Sequence, residues 1–499
     1  MQIKRLIFLS VIIFLFSTCV EAQIQTRVKF GEIANLTYQL DCVGDLPVYC
    51  SRQNLGDLWA REFLKTDEDR RMLKEWARLR DLYSKSLQIS DDANQNVSAI
   101  NLFDKIRIAG FQATSVEDYA QKLDLLTAPT GRASFERVVR HFEPRFKIWW
   151  QTEAIKEGDE FAKQTDALLR SPKLSDLLKQ FYDFYAASLP AGYELSFNLF
   201  YTPNLIKESS NGQQLENYSL MEFRAKENPA QHIDVAVHEL CHFFYENMKP
   251  DVRARLEQRF RQANRAAAIP AYNLLNESLA AAFGNGMIAR SVTPAAEFEK
   301  YVAAKKSFYN SDSIDRAAKA ILPMLDARLK NGKTIDDTDF VNDYTAALEK
   351  SFGENLLTPK LYLSEMFLFV DAKYGVSMRR DVRRILETAS FYAAEGNWTD
   401  KNVLDDYKNQ PRLNSVIIVH PDNLGELTKN KIVTEAQLKL IQTEYEAKQQ
   451  ALFSATREPF TYVYIAVARD ADAAKKLIEN WQTPNNFRGF IRNNQSARI

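Results

Sequence analysis

The sequence His238-Glu239-Leu240-Cys241-His242 places two histidines four residues apart, with a glutamate directly after the first. In an α-helix, residues four apart lie on the same face one turn apart, so both imidazoles could bind a single metal ion. Glu239 would lie at the edge of that face, within reach of a water molecule on the metal. The pattern predicts a metal site with a general base. The alternative is a pair of hydrogen-bonded histidines in a protein core.

The residues around this motif favour a buried helix. Asn228 can cap its start, Pro229 suits the first helical position, and Pro250 predicts its end. Between these points the sequence is apolar nearly all round, which is typical of a buried helix. Imidazole and carboxylate groups on such a helix need partners, and one metal ion would satisfy them together.

A third ligand is expected because catalytic zinc sites use three protein ligands and leave a fourth position for water. Pro270 and Gly284 predict the start and end of a downstream helix, with Glu277 near its middle among apolar residues. A carboxylate at such a position is costly unless it is paired or bound to a metal. We therefore expect Glu277 to be the third ligand. The alternative is a surface glutamate on an amphipathic helix.

These two segments resemble the zinc-binding segments of the gluzincin metallopeptidases, such as thermolysin and the aminopeptidase-N-like enzymes. The second segment is Asn276-Glu277-Ser278-Leu279-Ala280. The resemblance implies that His238, His242 and Glu277 bind one zinc ion and that Glu239 is the general base. It also implies that Asn276 orients a ligand histidine.

The resemblance covers two short segments, and the sequence departs from both named families. The interval from His242 to Glu277 is longer than theirs, and Ala281 stands where thermolysin-like enzymes carry an aspartate. The aminopeptidase signature G-x-M-E-N is missing, and Leu220-Met221-Glu222-Phe223 matches it only in part. No subfamily follows from the sequence.

The expected activity is zinc-dependent hydrolysis of a peptide or protein substrate. Zinc would lower the pKa of its water to about 7, and Glu239 would accept the proton as the water attacks. Zinc and a second donor would stabilise the oxyanion, and the candidates for that donor are Tyr272, Tyr309, Tyr344 and Tyr362. Two alternatives remain open: a catalytically inactive zincin-like binding protein, and a structural helical protein in which the motif arose by chance.

The N-terminus predicts export. Lys4 and Arg5 precede an apolar run at 6–16, and Val20-Glu21-Ala22 suits signal cleavage. We therefore expect a signal peptide at 1–22 and a periplasmic or secreted mature protein without a transmembrane segment. Cys19 leaves a lipid-anchored form as the alternative.

The charge balance limits the classes of binding partner, and the cysteine positions indicate whether a disulfide is expected. Lysine plus arginine number 65, as do aspartate plus glutamate, and this balance does not favour nucleic acid or an anionic membrane as a partner. Cys42 and Cys50 flank a short loop, and export favours a disulfide between them over two free thiols. Cys241 is expected to face the core.

The predicted fold is mainly α with a small antiparallel sheet. A helical region at 23–190 precedes a zincin-like catalytic region at 191–400. Alternating aromatic residues predict strands at 193–201 and 218–224, joined by a polar segment with a turn signal at 209–212. In zincins, to which this order is similar, an edge strand before the active helix binds extended peptide, and 218–224 is the expected strand.

The C-terminal part predicts a separate small α/β module at 401–499. The chain reads as helical from 253 to 398, and a polar stretch at 402–414 resembles a linker. After it, β-rich runs at 415–420 and 460–467 alternate with helical segments. His420 is expected at the end of a strand.

Overall fold

The computed structural model describes residues 25–46, 48, 50–84, 102–190, 192–203, 211–265, 267–357, 361, 363, 365–375, 377–386, 390–393, 400–409, 413–458, 461–481 and 489–490. The predicted signal peptide with Cys19, and the candidate Tyr362, lie outside these residues. The chain divides into two compact units. The first comprises the described residues up to 249 together with 288–293, and the second comprises 250–287 together with those from 294 onward.

Helices make up most of the first unit, as predicted for 23–190. They are α1 Glu32–Val43, α2 Arg52–Glu62, α3 Asp67–Ser84, α4 Leu102–Gln112, α5 Val116–Leu123, α6 Pro129–Trp149, α7 Ile155–Leu169, α8 Pro172–Phe184 and α9 Ile233–Glu246. A π-helical turn, Trp150–Ala154, joins α6 to α7. Ser115 Oγ caps α5 by accepting a hydrogen bond from Asp118 N at 3.1 Å, which satisfies an otherwise unpaired amide.

The first unit also contains a four-stranded sheet. Its strands are β1 Gln25–Lys29, β2 Glu194–Tyr201, β3 Gly212–Leu215 and β4 Tyr218–Phe223, in the order β1-β2-β4-β3. The β1–β2 and β2–β4 pairs are parallel, whereas β3 runs antiparallel to β4. The predicted antiparallel sheet is therefore mixed. Long crossovers, which permit parallel pairing, separate β1 from β2 and β2 from β4, whereas a tight turn joins β3 to β4.

Both faces of this sheet are covered, which explains why β2 and β4 are buried along nearly their whole length. On one face, Tyr38 of α1 stacks on Phe200 at 4.0 Å between ring centroids. On the other face, Phe161 of α7 stacks on Phe223 at 4.2 Å between ring centroids. The side chains of β4 consequently alternate between two buried environments.

The edge of the sheet lies elsewhere than predicted. β4, the predicted edge strand, lies between β2 and β3, and β3 forms the edge. The sequence predicts a polar connection in this region, because Gly212-Gln213-Gln214-Leu215 is short and lacks the alternation that marks its neighbours. The structure therefore moves the candidate peptide-binding edge from 218–224 to β3.

The second unit begins with a group of helices. They are α10 Pro250–Gln262, α11 Ala268–Ala280, α13 Ala295–Ala303, α14 Asp312–Lys330 and α15 Phe340–Phe352; the short α12, Ala289–Val292, belongs to the first unit. Gly284 does not end the second ligand helix, because α11 continues into a π-helical segment, Ala281–Ile288. The Tyr344 hydroxyl of α15 bonds Ser278 Oγ of α11 at 2.8 Å, next to Glu277 in sequence.

The rest of the second unit is an α/β module. Its sheet has the order β10-β8-β9-β7-β5-β6, with β5 Glu365–Val370, β6 Ser390–Ala393, β7 Asn414–Val419, β8 Gln450–Glu458, β9 Thr461–Ala468 and β10 Gly489–Phe490. Strands β6, β5, β7 and β9 are parallel, and β8 and β10 are antiparallel to their neighbours. Separate apolar clusters fill its two faces, packed with helices α16 Ser377–Leu386, α17 Lys401–Asn409, α18 Gly425–Lys429, α19 Glu435–Lys448 and α20 Ala471–Glu479.

This sheet begins before the predicted boundary at 401. β5 and β6 lie within the stretch predicted to be helical, and α17 replaces most of the predicted linker, with Val403 and Tyr407 in one apolar cluster. The apolar run at 365–370 was ambiguous because a strand of a parallel sheet covered on both faces is apolar throughout, like a buried helix. His420 follows β7, as expected.

The predicted disulfide is not formed. Cys42 and Cys50 are both free thiols, and Cys42 is fully buried. Burial raises the pKa of the Cys42 thiol, and a hydrogen bond with Cys50 raises this pKa further. The short interval between Cys42 and Cys50 in the sequence correctly indicated that their side chains lie close together. Closeness in sequence does not determine whether the two thiols are oxidised to a disulfide.

Candidate metal centre

Helix α9 carries the motif and leaves one stripe of its surface incompletely buried. An α-helix starts at Ile233, after a 3-10 turn at Pro229–Gln231 that Asn228 caps through a 3.0 Å bond from Ala230 N. The predicted cap therefore belongs to this turn. Val235, Glu239 and His242 are half-buried at intervals of four and three residues, so they share one face.

The two motif histidines meet through their Nε2 atoms. His238 Nε2 and His242 Nε2 are 3.1 Å apart, and the ring planes are inclined by 82°. Two nitrogens bound at about 2.0–2.1 Å to one tetrahedral zinc ion would be roughly 3.4 Å apart. The observed separation is close to that value. It also suits a direct hydrogen bond between the rings, so this distance alone does not distinguish a metal site from a histidine pair.

Glu277 of α11 lies close to the two histidines and completes a group of three side chains that could hold a metal ion. One ligand atom each from His238, His242 and Glu277 lies within 4.8 Å of the others. His238 is buried, whereas His242 and Glu277 are half-buried. The donor chemistry, two imidazoles and one carboxylate, fits a divalent transition metal such as zinc. All three sequence-predicted ligands are thus brought together, and the group could hold a metal ion.

Glu239 lies on the incompletely buried stripe and close to the edge strand. A Cβ atom built on Gly212, the first residue of β3, would lie 3.3 Å from Glu239 Cγ and 2.7 Å from Val235 Cγ1. Only glycine fits this approach without displacing a neighbour. The sequence does not predict this approach of Gly212 to α9. The sequence signal at this position, a glycine next to Asn211, indicates a turn.

Glu222, the partial match to the aminopeptidase signature, is not exposed to substrate. Its residue surface is 2% exposed, and its carboxylate accepts hydrogen bonds from Tyr38 Oη, Ser51 N, Ser51 Oγ and Asn211 Nδ2 at 2.7–2.9 Å. Cys241 is fully buried, as expected, and burial raises the pKa of its thiol.

Two of the oxyanion candidates have assigned hydrogen bonds. Tyr344 is fully buried with its hydroxyl bonded to Ser278 Oγ, so it packs helices together and faces no substrate. The Tyr272 hydroxyl donates to Glu257 Oε1 at 3.2 Å. Tyr309 is half-buried, and Asn276 is half-buried beside Glu277. The oxyanion donor and the orienting role of Asn276 stay predictions.

Comparison with protein-family models, curated proteins and solved structures found no match to this chain. Among the described residues, no helix combines the length and apolar character that crossing a membrane requires.

Proposed function

We propose that this protein is an exported zinc metallopeptidase that binds one zinc ion through His238, His242 and Glu277. The observation that supports it best is the convergence of the three ligand groups within 4.8 Å. A chance motif predicts no such partner, because Glu277 lies more than thirty residues beyond His242 in sequence and was predicted as a ligand from its position among apolar residues. The same donor set also suits Fe²⁺, so the metal must be identified directly.

In this proposal Glu239 transfers the proton and helix α9 holds this residue beside the proposed zinc ligands. A zinc ion in the site would polarise the scissile carbonyl and lower the pKa of a water molecule to about 7. Glu239, half-buried beside the ligands, accepts the proton from the attacking water and passes it to the leaving amine. The ligand helix α9 keeps this carboxylate next to the two imidazoles because adjacent helical residues are fixed relative to one another.

Strand β3 is the proposed support for the substrate. One side of β3 pairs with β4, and an extended peptide could add to its other side through main-chain hydrogen bonds. Because Gly212 approaches Glu239 closely, a peptide bound along this strand would pass near the base. Export rests on the predicted signal peptide at 1–22, and the substrates would accordingly be peptides outside the cytoplasm.

The deciding experiment combines metal content with turnover of the mature protein. Elemental mass spectrometry after purification without chelators should find about one zinc per chain, and a quenched peptide library should be cleaved until a chelator is added. Glu239→Gln should keep the zinc and lose at least about 100-fold in kcat, since it removes the proton acceptor. Glu246→Gln, two turns along α9, is the matched control and should retain turnover.

Each alternative has its own result. Bound zinc without turnover of any peptide in the wild-type protein would favour the inactive zincin-like binding protein. Absence of metal after attempted reloading would favour a structural protein with a hydrogen-bonded histidine pair. Iron in place of zinc would redirect the search from hydrolysis to oxygen chemistry.

A further inference from the structure

The start of the edge strand is tied to a buried carboxylate. Glu222 of β4 receives Tyr38 Oη at 2.8 Å and Ser51 N at 2.9 Å on Oε1. Its Oε2 receives Ser51 Oγ and Asn211 Nδ2, each at 2.7 Å. We call these four residues, Glu222, Tyr38, Ser51 and Asn211, the Glu222 network. They connect α1, the start of α2, β4 and the residue preceding β3.

The network is built for an ionised carboxylate. Two hydroxyls, one main-chain amide and one side-chain amide converge on the two oxygens, and an ionised carboxylate can accept all of them. Burial raises the pKa of Glu222, and the hydrogen bonds from Asn211, Ser51 and Tyr38 oppose that effect. An uncharged glutamine at 222 would turn an NH₂ group toward some of these donors.

Asn211 carries this restraint to β3. In addition to its side-chain bond, its main-chain oxygen accepts a 3.1 Å hydrogen bond from Glu222 N. Gly212 follows immediately and lies against Val235 and Glu239 of α9. Two bonds from one residue of β4 therefore determine where the edge strand begins beside the general base.

We propose that Glu222 is a positioning residue that holds β3 next to Glu239 and thereby sets the register of a bound peptide. The assignment of β3 to substrate binding rests on the proposed function, whereas the restraint on β3 is independent of it. Glu222 would touch no substrate, because its carboxylate is buried and its oxygens are occupied by the network.

Hydrogen–deuterium exchange of the full-length mature protein tests the restraint without an activity assay. Glu222→Gln should speed exchange of the β3 amides at least about tenfold, since a buried hydrogen-bond network is broken locally. Exchange in α9 should stay at its wild-type rate. Asp371→Asn is the matched control. Asp371 is likewise a buried carboxylate with neutral donors, Lys373 N, His420 N and Asn423 Nδ2, and its replacement should leave β3 unchanged.

A second variant separates positioning from general loss of structure. In Glu222→Gln/Asn211→Asp, the new amide can donate to the new carboxylate, and Ser51 Oγ can reverse its role to accept. Tyr38 Oη and Ser51 N still donate to an oxygen, because the side-chain oxygen of the new glutamine takes the place of Glu222 Oε1. This pair should restore slow exchange in β3, which a merely destabilised protein would not do.

Kinetics then test the link to substrate. Glu222→Gln should raise KM for a peptide about tenfold with a smaller fall in kcat and an unchanged zinc content, because base and ligands keep their places. Wild-type exchange in β3 of Glu222→Gln, or faster exchange spread equally over the unit, would overturn the positioning role. Wild-type protein that cleaves no peptide would refute the proposed function, while the exchange result would still decide the role of Glu222.

Discussion

Replacing Gly212 with alanine adds one methyl group at the contact between β3 and helix α9. The new Cβ would lie 2.7 Å from Val235 Cγ1 and 3.3 Å from Glu239 Cγ. Carbon atoms in contact are normally about 3.5–4.0 Å apart, so Val235 must give way by roughly 1 Å. Glu239 needs to move by only a few tenths of an ångström.

These displacements allow an estimate of how much stability and how much activity Gly212→Ala loses. Overpacking of this kind costs about 1–3 kcal/mol, because strand or helix must shift or a side chain must leave its rotamer. For a unit of this size the loss corresponds to a fall in melting temperature of roughly 2–12 °C. Since a misplacement of about 1 Å costs about 100-fold in rate, the smaller movement of Glu239 should lower kcat/KM about tenfold.

The assay measures melting temperature, zinc content and peptide hydrolysis on the same preparations. The zinc content of Gly212→Ala should stay at the wild-type value, because the new methyl group contacts Val235 and Glu239 and none of the three proposed ligands. Gly56→Ala is the matched control: its Cβ would meet nothing within 4 Å, and α2 gains about 0.8–1 kcal/mol of helix preference. In Gly212→Ala/Val235→Ala the closer contact is removed, so much of the lost stability should return.

Wild-type stability and wild-type kcat/KM in Gly212→Ala would refute the reasoning, since the added methyl group would then fit between β3 and α9 without displacing Val235 or Glu239. Equal destabilisation in Gly212→Ala and in the double variant would refute the assignment of the cost to Val235.

The remaining predictions concern a ligand and a buried ion pair. Glu277→Ala should weaken zinc binding by more than about 100-fold in a competition titration, since loss of residues that merely support ligands already costs about 10–100-fold; unchanged affinity would place the third ligand elsewhere. Asp69→Asn should lower stability at pH 7 by about 2–3 kcal/mol, because the buried carboxylate accepts bonds from Arg145 and from His141. The Arg145 bonds hold the pKa of Asp69 well below its usual range. The stabilisation is therefore present above about pH 4 and lost as pH falls further, and the gap between wild type and variant in urea titrations should shrink with acidification. A gap at pH 2 as large as the gap at pH 7 would contradict this explanation.

The relative placement of the motif residues on α9 was predictable because helix geometry is local. The four-residue spacing of His238 and His242 fixes their relative direction in any α-helix, and Glu239 follows from the same backbone. Strands β2 and β4 were also recognisable, since their alternating aromatic residues have the period of a strand. Glu277 was predicted as a candidate ligand because a carboxylate among apolar helical residues needs a partner.

Strand order was not predictable in the same way. β3 has four residues and no alternating pattern, so only its pairing with β4 reveals that it forms the edge. The sequence predicts helix at β5, because an apolar run of six residues fits a buried helix as well as a parallel strand. The hydrogen bonds that make it a strand come from β7, some fifty positions away in sequence.

The sequence by itself determined which side chains could bind a metal and which could act as base, because residues on one helix are held by bonds only a few positions apart. The tertiary structure decided that Glu277 meets the histidines, that Gly212 lies against Glu239 and that Glu222 is sealed inside a network. Each of these depends on packing between segments far apart in the chain, and the energy of such packing is shared among many residues with no local pattern of its own.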